Sequence, residues 1–521
     1  MFFETKKTDL AGRIGRLLTP HGVVETPYLF PVIDPARQVP DLDKIREVGF
    51  SGIITNAYLF YKRNQGKATS IHEYLKWNSV IMTDSGGYQI LVYGDVEVDN
   101  RTIIEYEKRI GSDIAVILDI PTGSKMSLEE AEKAVHETYR RGLEALPLIE
   151  ESNQLWVYPI QGAPYKDLVV RSAILARKLP YDIYAVGSPT VILEKYNYPK
   201  LVELVATVRM HIPPSKPLHV FGVGHPMIVP FLVAVGADLF DSASYILYAR
   251  DGRYMTEAGT KNIRELSYFP CTCPVCSRYT PQEVLALPNS KKVELIALHN
   301  LYMLMKEIKT TKQYIKEGRL WELLEQRSRS HPALAAAFNI VKNYFKLLAK
   351  HAPLASPSGR AVFIISADSF FNPRIAINVK RGMEITLKDV EGKTIILIPA
   401  YKKPYDTQNE YLAIVPWIEK RDDVKIAFIH PVLGVFAPGL SVTYPYYQHI
   451  CKLTKSSIAY EKLVKYIREL VRKKPREVII VNTSWMNSIA DKLRDELAKL
   501  DSKSVKVTIC KLSDIFSRLP R

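Results

Sequence analysis

The chain has 521 residues, 47% hydrophobic and 24% charged, which predicts more than one domain, an ample core and a soluble globular protein. A net charge of +16 points toward a polyanionic partner, and no apolar run is long enough to cross a bilayer, so no membrane role is expected. The start, Met1-Phe2-Phe3-Glu4, lacks the pattern of a signal peptide, and five cysteines, three of them within six residues, argue against a disulfide framework and for a reducing, cytoplasmic setting.

In chain order, short apolar runs alternate with amphipathic segments through the first 250 residues. The runs are Tyr28–Ile33, Gly52–Leu59, Ser79–Asp84, Ile114–Ile120, Leu155–Gln161, Asp182–Gly187, Leu218–Gly224 and Ala237–Asp241. Helical patterns lie between most of them, among them Leu128–Leu148 and Tyr165–Lys178. Strands buried on both faces read as continuous apolar runs, and eight strand–helix units in this length predict a TIM barrel. Nearly every run ends in a polar residue or a glycine: Asp84, Asp119, Gln161 with Gly162, Gly187 with Ser188, Gly222 with Gly224 and His225, and Asp241. In a barrel these ends form one rim, the face that carries active sites. Any single carboxylate there reads equally as a helix cap. Three Asp and one Gln around one mouth exceed what capping needs.

The segment Cys271-Thr-Cys273-Pro-Val-Cys276 follows, and then, after 22 residues, His299 in a helix-like stretch. Three thiolates and one imidazole make a closed tetrahedral set with no open position, the donor set of a structural zinc. His299 is the weaker member of that set by spacing alone. A helical stretch then runs from about Thr280 to His351, and His351 to Arg360, with two prolines and a glycine, reads as a linker. Residues 361–521 return to a strand–helix rhythm. Ala361–Ala367, Thr394–Pro399, Val424–His430, Val478–Thr483 and Val505–Leu512 are strand-like, and Glu461–Lys474 and Met486–Leu500 helix-like, which predicts a separate α/β domain. Residues 351–521 hold 28 Lys and Arg against 17 Asp and Glu, net +11, leaving +5 for the first 350 residues. Such a basic domain suits nucleic acid, or equally a lysine-rich solvated surface.

Carboxylates around a barrel mouth permit metal-assisted hydrolysis, glycoside hydrolysis by a carboxylate pair, or covalent displacement at an anomeric carbon by one Asp. No histidine cluster accompanies them. Tyr88 beside Asp84 offers a stacking face, Asp119 an acceptor for an amidine-like N–H edge, and Gln161 a donor to a carbonyl. Guanine presents that pair of edges, so the residues favour a purine-like ligand and chemistry at C1'.

At these positions the chain resembles the tRNA-guanine transglycosylases, and within them the archaeal type, from about Gly12 to about Arg374. The resemblance is carried by T-D-S-G-G-Y-Q at 83–89, L-D-I-P-T at 118–122, I-Q-G at 160–162, F-G-V-G-H-P at 221–226, D-L-F-D-S-A-S-Y at 238–245, R-Y-M-T at 253–256 and C-x-C-P-V-C-S-x-Y-T-P-Q-E at 271–283. It implies a TIM barrel with an inserted zinc subdomain, and exchange of guanine at position 15 in the tRNA D arm for 7-cyano-7-deazaguanine, leading to archaeosine. It further implies Asp241 as the nucleophile on C1', forming a covalent tRNA–enzyme intermediate, and Asp84 as general acid/base. Tyr88 would stack on the base and Asp119 would read its N1/N2 edge. Gln161 with the Ser188 N–H would read O6, with Gly187 beside it and the Thr190 N–H available if the family's donor lies one residue later. Cys271, Cys273, Cys276 and His299 would hold one structural Zn2+. The resemblance admits a separate PUA-domain protein and a second copy of the chain as partners beside tRNA.

The chain departs from that pattern in three places. Gly187-Ser188-Pro189-Thr190 stands where the family has Gly-Gly-Val; Pro189 has no N–H, and Ser188 adds a side chain where glycine allows close approach. No PUA-like tail is recognisable before Arg521, so the expected grip on tRNA falls to the basic domain or to a separate protein. Pro399-Ala-Tyr-Lys-Lys-Pro-Tyr405 faintly resembles the signature of archaeosine synthase, a paralogue acting on the nitrile base, with Ala400 where a cysteine is expected. That paralogue and a non-catalytic tRNA-binding subunit are the alternative functions; the retained Asp84, Asp119 and Asp241 weigh against both.

Overall fold

The computed structural model describes residues 2–87, 98–123, 125–189, 192–193, 196–355, 360–452, 457–483, 493 and 505–518. The first 25 residues form an antiparallel meander of β1 (Phe3–Asp9), β2 (Gly12–Thr19) and β3 (Gly22–Glu25). β1 is almost wholly polar, with only Phe3 apolar, and β2 buries Leu17 while leaving Arg16 and Leu18 exposed. The eight apolar runs become β4 (Tyr28–Pro31), β5 (Gly52–Asn56), β6 (Val80–Asp84), β7 (Ile114–Val116), β8 (Leu155–Ile160), β9 (Ile183–Val186), β10 (Leu218–Val220) and β11 (Leu239–Ser242). All are parallel, in the order β4-β11-β10-β9-β8-β7-β6-β5. One parallel bridge, Val32 to Ile54, with Ile33 N donating to Ile54 O at 2.7 Å, closes the ring between β4 and β5. The fold is therefore the TIM barrel the sequence predicts. The strands are shorter than their apolar runs, because residues such as Ile117–Ile120 and Phe221–Gly224 leave the ladder to shape the mouth.

The meander seals the opposite, N-terminal end. Arg13 donates from Nε to Asp238 Oδ1 at 2.9 Å, and Asp238, just before β11, also accepts the Leu218 N–H at 2.8 Å. His21 N donates to Asp113 Oδ1 at 2.7 Å, and Asp113 Oδ2 accepts from Ile81 N at 2.8 Å. Aspartates at this end thus satisfy backbone donors at strand starts, the stability role expected of that face.

After the barrel come the hairpin β12 (Arg253–Thr256) and β13 (Gly259–Asn262), a short helix Pro281–Ala286, and the 29-residue helix Asn289–Glu317. Thr280 and Glu283 form a capping box with Pro281 in the first turn, so the short helix starts where its sequence directs. Asn300 anchors the long helix: its Nδ2 donates to the Tyr245 and Arg253 carbonyls at 3.1 Å each, and its Oδ1 accepts from Met255 N at 2.9 Å. Helices Leu320–Ser328, Pro332–Asn343 and Phe345–His351 complete the unit.

Met1–His351 and Ala352–Arg521 are two compact units. In the second, β14 (Val362–Ile364) precedes β15 (Thr394–Pro399), β16 (Val424–His430), β17 (Gly434–Phe436), β18 (His449–Cys451), β19 (Glu477–Val481) and β20 (Lys506–Cys510). A five-stranded sheet runs β17-β16-β15-β19-β20 with only β17 antiparallel, and β14 pairs separately with β18. Successive residues of β15 feed opposite cores: Ile395 and Leu397 pack on one face, Ile396 and Ile398 on the other. The helix-like segment Met486–Leu500 lies, Leu493 apart, outside the described residues. Lys403 Nζ donates to the Tyr447 and His449 carbonyls at 2.7 and 2.6 Å, which engages the ammonium next to Ala400 in loop architecture.

Candidate active site at the barrel mouth

Asp84 is the last residue of β6 and lies in register with Asn56, the last of β5. Asn56 Nδ2 donates to Asp84 Oδ2 at 3.3 Å, while its Oδ1 caps the next helix by accepting the Leu59 N–H at 2.8 Å. Asp241, in β11 and buried, accepts at Oδ1 from His219 Nε2 at 2.8 Å and from Gly222 N at 3.0 Å. Asp119, beyond the end of β7, accepts at Oδ2 from Gln161 Nε2 at 2.5 Å. Gln161 Oε1 in turn accepts from Thr122 N at 3.1 Å, Thr122 Oγ1 at 3.2 Å and Ser188 Oγ at 3.0 Å. With three donors on its oxygen, the amide orientation of Gln161 is determined and its nitrogen faces Asp119.

Two glycines make this packing possible. A Cβ on Gly87 would sit 2.2 Å from Asp119 Oδ1, and one on Gly187 would sit 2.2 Å from Gln161 Nε2. Ser188 follows in the left-handed region at φ 57°, a strained conformation for a residue with a side chain, and its hydroxyl bond to Gln161 offsets part of that cost. The Pro189 carbonyl accepts from Ile192 N at 3.1 Å and Leu193 N at 3.0 Å, so it opens the following turn. Tyr88 and Thr190 lie outside the described residues.

The mouth is electrostatically loaded. Loss of hydration, reinforced by the negative charges of Asp119 and Asp241, pushes the Asp84 carboxyl up to about 7. Burial raises Asp119 to about 6, against the lowering effect of the Gln161 hydrogen bond. An acid poised near neutrality beside a second carboxylate can both give and take a proton.

His219 and Asn56 belong to the site without standing out in sequence, and Thr122 stands in the L-D-I-P-T motif with no role that sequence assigns. His219 is a lone histidine inside an apolar strand, and Asn56 falls inside the apolar run Gly52–Leu59.

Cys271, Cys273, Cys276 and His299 converge: one ligand atom from each lies within 4.8 Å of all the others. His299 Nδ1 is 3.6 Å from Cys273 Sγ and 3.3 Å from Cys276 Sγ. Its Nε2 lies 2.9 Å from the Met255 carbonyl, to which it donates, so the Nδ1 lone pair faces the sulfurs. Tyr254 stacks on the imidazole at 3.6 Å and 10°. Three sulfurs and an oriented imidazole fit a four-coordinate soft metal with no position left for a reacting molecule. The residues therefore pass as a metal site, and as a structural one.

Residues 8–333 match the family model for queuine tRNA-ribosyltransferase. The chain belongs to the queuine tRNA-ribosyltransferase family. Curated relatives named tRNA-guanine(15) transglycosylase include one from Aeropyrum pernix, 46% identical over 85% of this chain and 88% of the relative. Another, from Sulfolobus acidocaldarius, is 41% identical over 92% of this chain and 94% of the relative. The Methanocaldococcus jannaschii protein of the same name is 40% identical over 86% of this chain but only 68% of its own length. The A. pernix and S. acidocaldarius alignments, 456 and 482 residues long, run past the family match into the second unit. The barrel, the mouth and the Cys3His cluster all lie within residues 1–351, the unit in which the family match falls. Among the described residues no helix is long and apolar enough to cross a membrane.

Proposed function

We propose that this ribosyltransferase is a tRNA-guanine(15) transglycosylase that exchanges guanine in the tRNA D arm for 7-cyano-7-deazaguanine on the route to archaeosine, in the cytoplasm. The observation that carries the reading is one rim with two stations: Asp84 and Asp241, close enough for Asp241's charge to raise Asp84, beside the Asp119–Gln161 pair. Asp241 attacks C1' of the ribose. The C1'–N9 bond breaks, and guanine leaves with a proton from Asp84, whose position near pH 7 lets it begin protonated. Asp84 then takes the N9 proton of the incoming base, which attacks C1' and releases Asp241. Asp119 accepts from the N1/N2 edge and Gln161 donates to O6, with Tyr88 stacking and the Gly187–Thr190 backbone completing the pocket. Cys271, Cys273, Cys276 and His299 would hold one zinc, which would tie the 271–276 segment to the long helix and take no part in the chemistry; the hairpin joins the same helix through the His299–Met255 hydrogen bond. The basic second unit grips tRNA phosphates, alone or with a separate PUA-domain protein; a homodimer is compatible with the same arrangement. Incubating the protein with labelled guanine and unmodified tRNA tests the proposal. Label should enter tRNA at position 15, and failure to incorporate it with folded, tRNA-binding protein would refute it.

A further inference from the structure

His219 is wholly buried in β10, yet it is the only side chain among the described residues that hydrogen-bonds Asp241. Its Nε2 lies 2.8 Å from Asp241 Oδ1, and its Nδ1 has no partner among the described residues. The ring sits beside Phe221, centroids 4.7 Å apart, and 6.5 Å from Phe30. A hydrogen on Nδ1 would be buried without an acceptor, at a cost of about 1–3 kcal/mol. The bare nitrogen is therefore Nδ1, and Nε2 carries the hydrogen that goes to Asp241. Gly222 N–H, at 3.0 Å, donates to the same oxygen. Both donors fall on Oδ1; among the described residues nothing donates to Oδ2.

We propose that His219 is a positioning residue which, with Gly222, reserves Oδ1 of Asp241 and leaves Oδ2 as the atom that attacks C1'. The inference rests on Asp241 being the nucleophile. A carboxylate rotating freely about χ2 would offer either oxygen at varying angle. Two fixed donors, one within β10 and one just past its end, hold the carboxylate, and leave one oxygen's lone pairs without competing hydrogen bonds among the described residues. The Nε2–H donor thus orients the carboxylate through one directed hydrogen bond. β10 suits this task. His219 is in register with Leu239, two residues before Asp241 on the neighbouring strand, so both side chains point into the barrel at adjacent levels.

The test uses His219→Phe, which keeps a planar ring and loses the donor, and the pair His219→Gln and His219→Asn. The Gln amide nitrogen reaches the place of Nε2, whereas the Asn nitrogen falls at that of Nδ1. Single-turnover formation of the denaturant-stable tRNA adduct should slow about 100-fold in His219→Phe and His219→Asn, the scale of a misplaced reacting group. His219→Gln should recover most of that rate, and Kd for tRNA and KM for the base should stay put in all three. Adduct formation within twofold of wild type in folded His219→Phe would overturn the proposal. If that variant does not fold, equal rates for the Gln and Asn variants would overturn it as well. Asp241→Ala is run beside them: an adduct surviving there refutes the nucleophile reading itself, whatever the His219 variants do.

Discussion

The Gln161 amide nitrogen donates to Asp119 Oδ2 across the ends of β8 and β7 at 2.5 Å, with the amide oxygen already held by Thr122 and Ser188. A carboxylate acceptor and an amide donor are thereby held side by side, the pair that the proposed function assigns to the N1/N2 and O6 edge of guanine. Preorganised polar pairs of this kind discriminate strongly, because a ligand lacking either group leaves a buried partner unmatched.

Asp119→Asn should therefore damage recognition of the base more than anything else. It places a second amide against Gln161 and removes the anionic acceptor. KM for guanine should rise about 10–100-fold, or roughly 1.4–2.7 kcal/mol, with Kd for tRNA unchanged. Steady-state kinetics at saturating tRNA and a binding isotherm separate the two.

Asp241→Ala should abolish exchange and leave tRNA affinity within about twofold, since affinity rests on phosphate neutralisation far from the reacting carbon. Denaturing gels should show a tRNA adduct for the wild type and none for the variant.

Asp84 predicts a pH signature in stability as well as in rate. Its carboxyl sits at about 7 in the folded chain against an ordinary 3.8, so between those values the folded state holds a proton that the unfolded chain has released. Stability falls as pH rises through this window, and the cost of the ionised carboxyl is complete above pH 7. Asp84→Asn removes that cost. Its stability gain over wild type should be larger at pH 8 than at pH 5 by on the order of 1–2 kcal/mol, discounting the full shift for solvent at the mouth. Paired denaturant melts measure it, and an equal gain at both pH values would contradict the assignment.

How much of this was legible in sequence follows from how each residue departs from its background. Asp84, Asp119, Gln161 and Asp241 are visible because they interrupt apolar runs at the ends where a barrel places its chemistry. The cysteines are visible through spacing, and His299 becomes convincing only when the Met255 carbonyl is seen to fix its tautomer. His219 is hidden because burial in a strand is what a core histidine also shows. The meander is hidden because its strands are mostly polar and show no period-two apolar pattern, and β17 and β18 because three-residue strands carry too little pattern. Arg472-Lys473-Lys474-Pro475-Arg476 forms a basic run in the second unit, but the Arg476 guanidinium donates to Thr394 Oγ1 at 2.8 Å and to Asp423 Oδ2 at 2.9 Å, so it serves the fold of that unit.

The run available for phosphate is accordingly Arg472, Lys473 and Lys474, all exposed. Neutralising these three should weaken tRNA binding and reduce its salt dependence by about 0.7–0.9 log units for each phosphate that the variant no longer neutralises. Turnover at saturating tRNA should hold. Filter binding across a salt series reads both, and an unchanged slope would return the run to solvated surface.

Removing zinc should act through the hairpin and the long helix. Cys273→Ser, or chelation, should loosen residues from about 253 to 304, lower thermal stability and reduce tRNA binding together with exchange. Metal analysis should give one zinc per wild-type chain. Folded, active protein free of zinc would remove the site.

The closing strand pair has a consequence for how the chain is made. β4 takes its four-residue ladder from β11, about 200 residues further along, and has only the single Val32–Ile54 bridge to β5. During synthesis the edge of β4 has no lasting partner until Ser242 has left the ribosome, a wait of roughly 10–40 s at ordinary elongation rates. Arg13 waits equally long for Asp238, and Asp9 longer still for the Leu320 N–H it accepts at 2.7 Å. β4 is thus the barrel strand whose ladder forms last relative to its synthesis, while β1–β3 pair locally at once, and a slowed ribosome between residues 60 and 240 should lower the yield of native protein more than one slowed in the second unit.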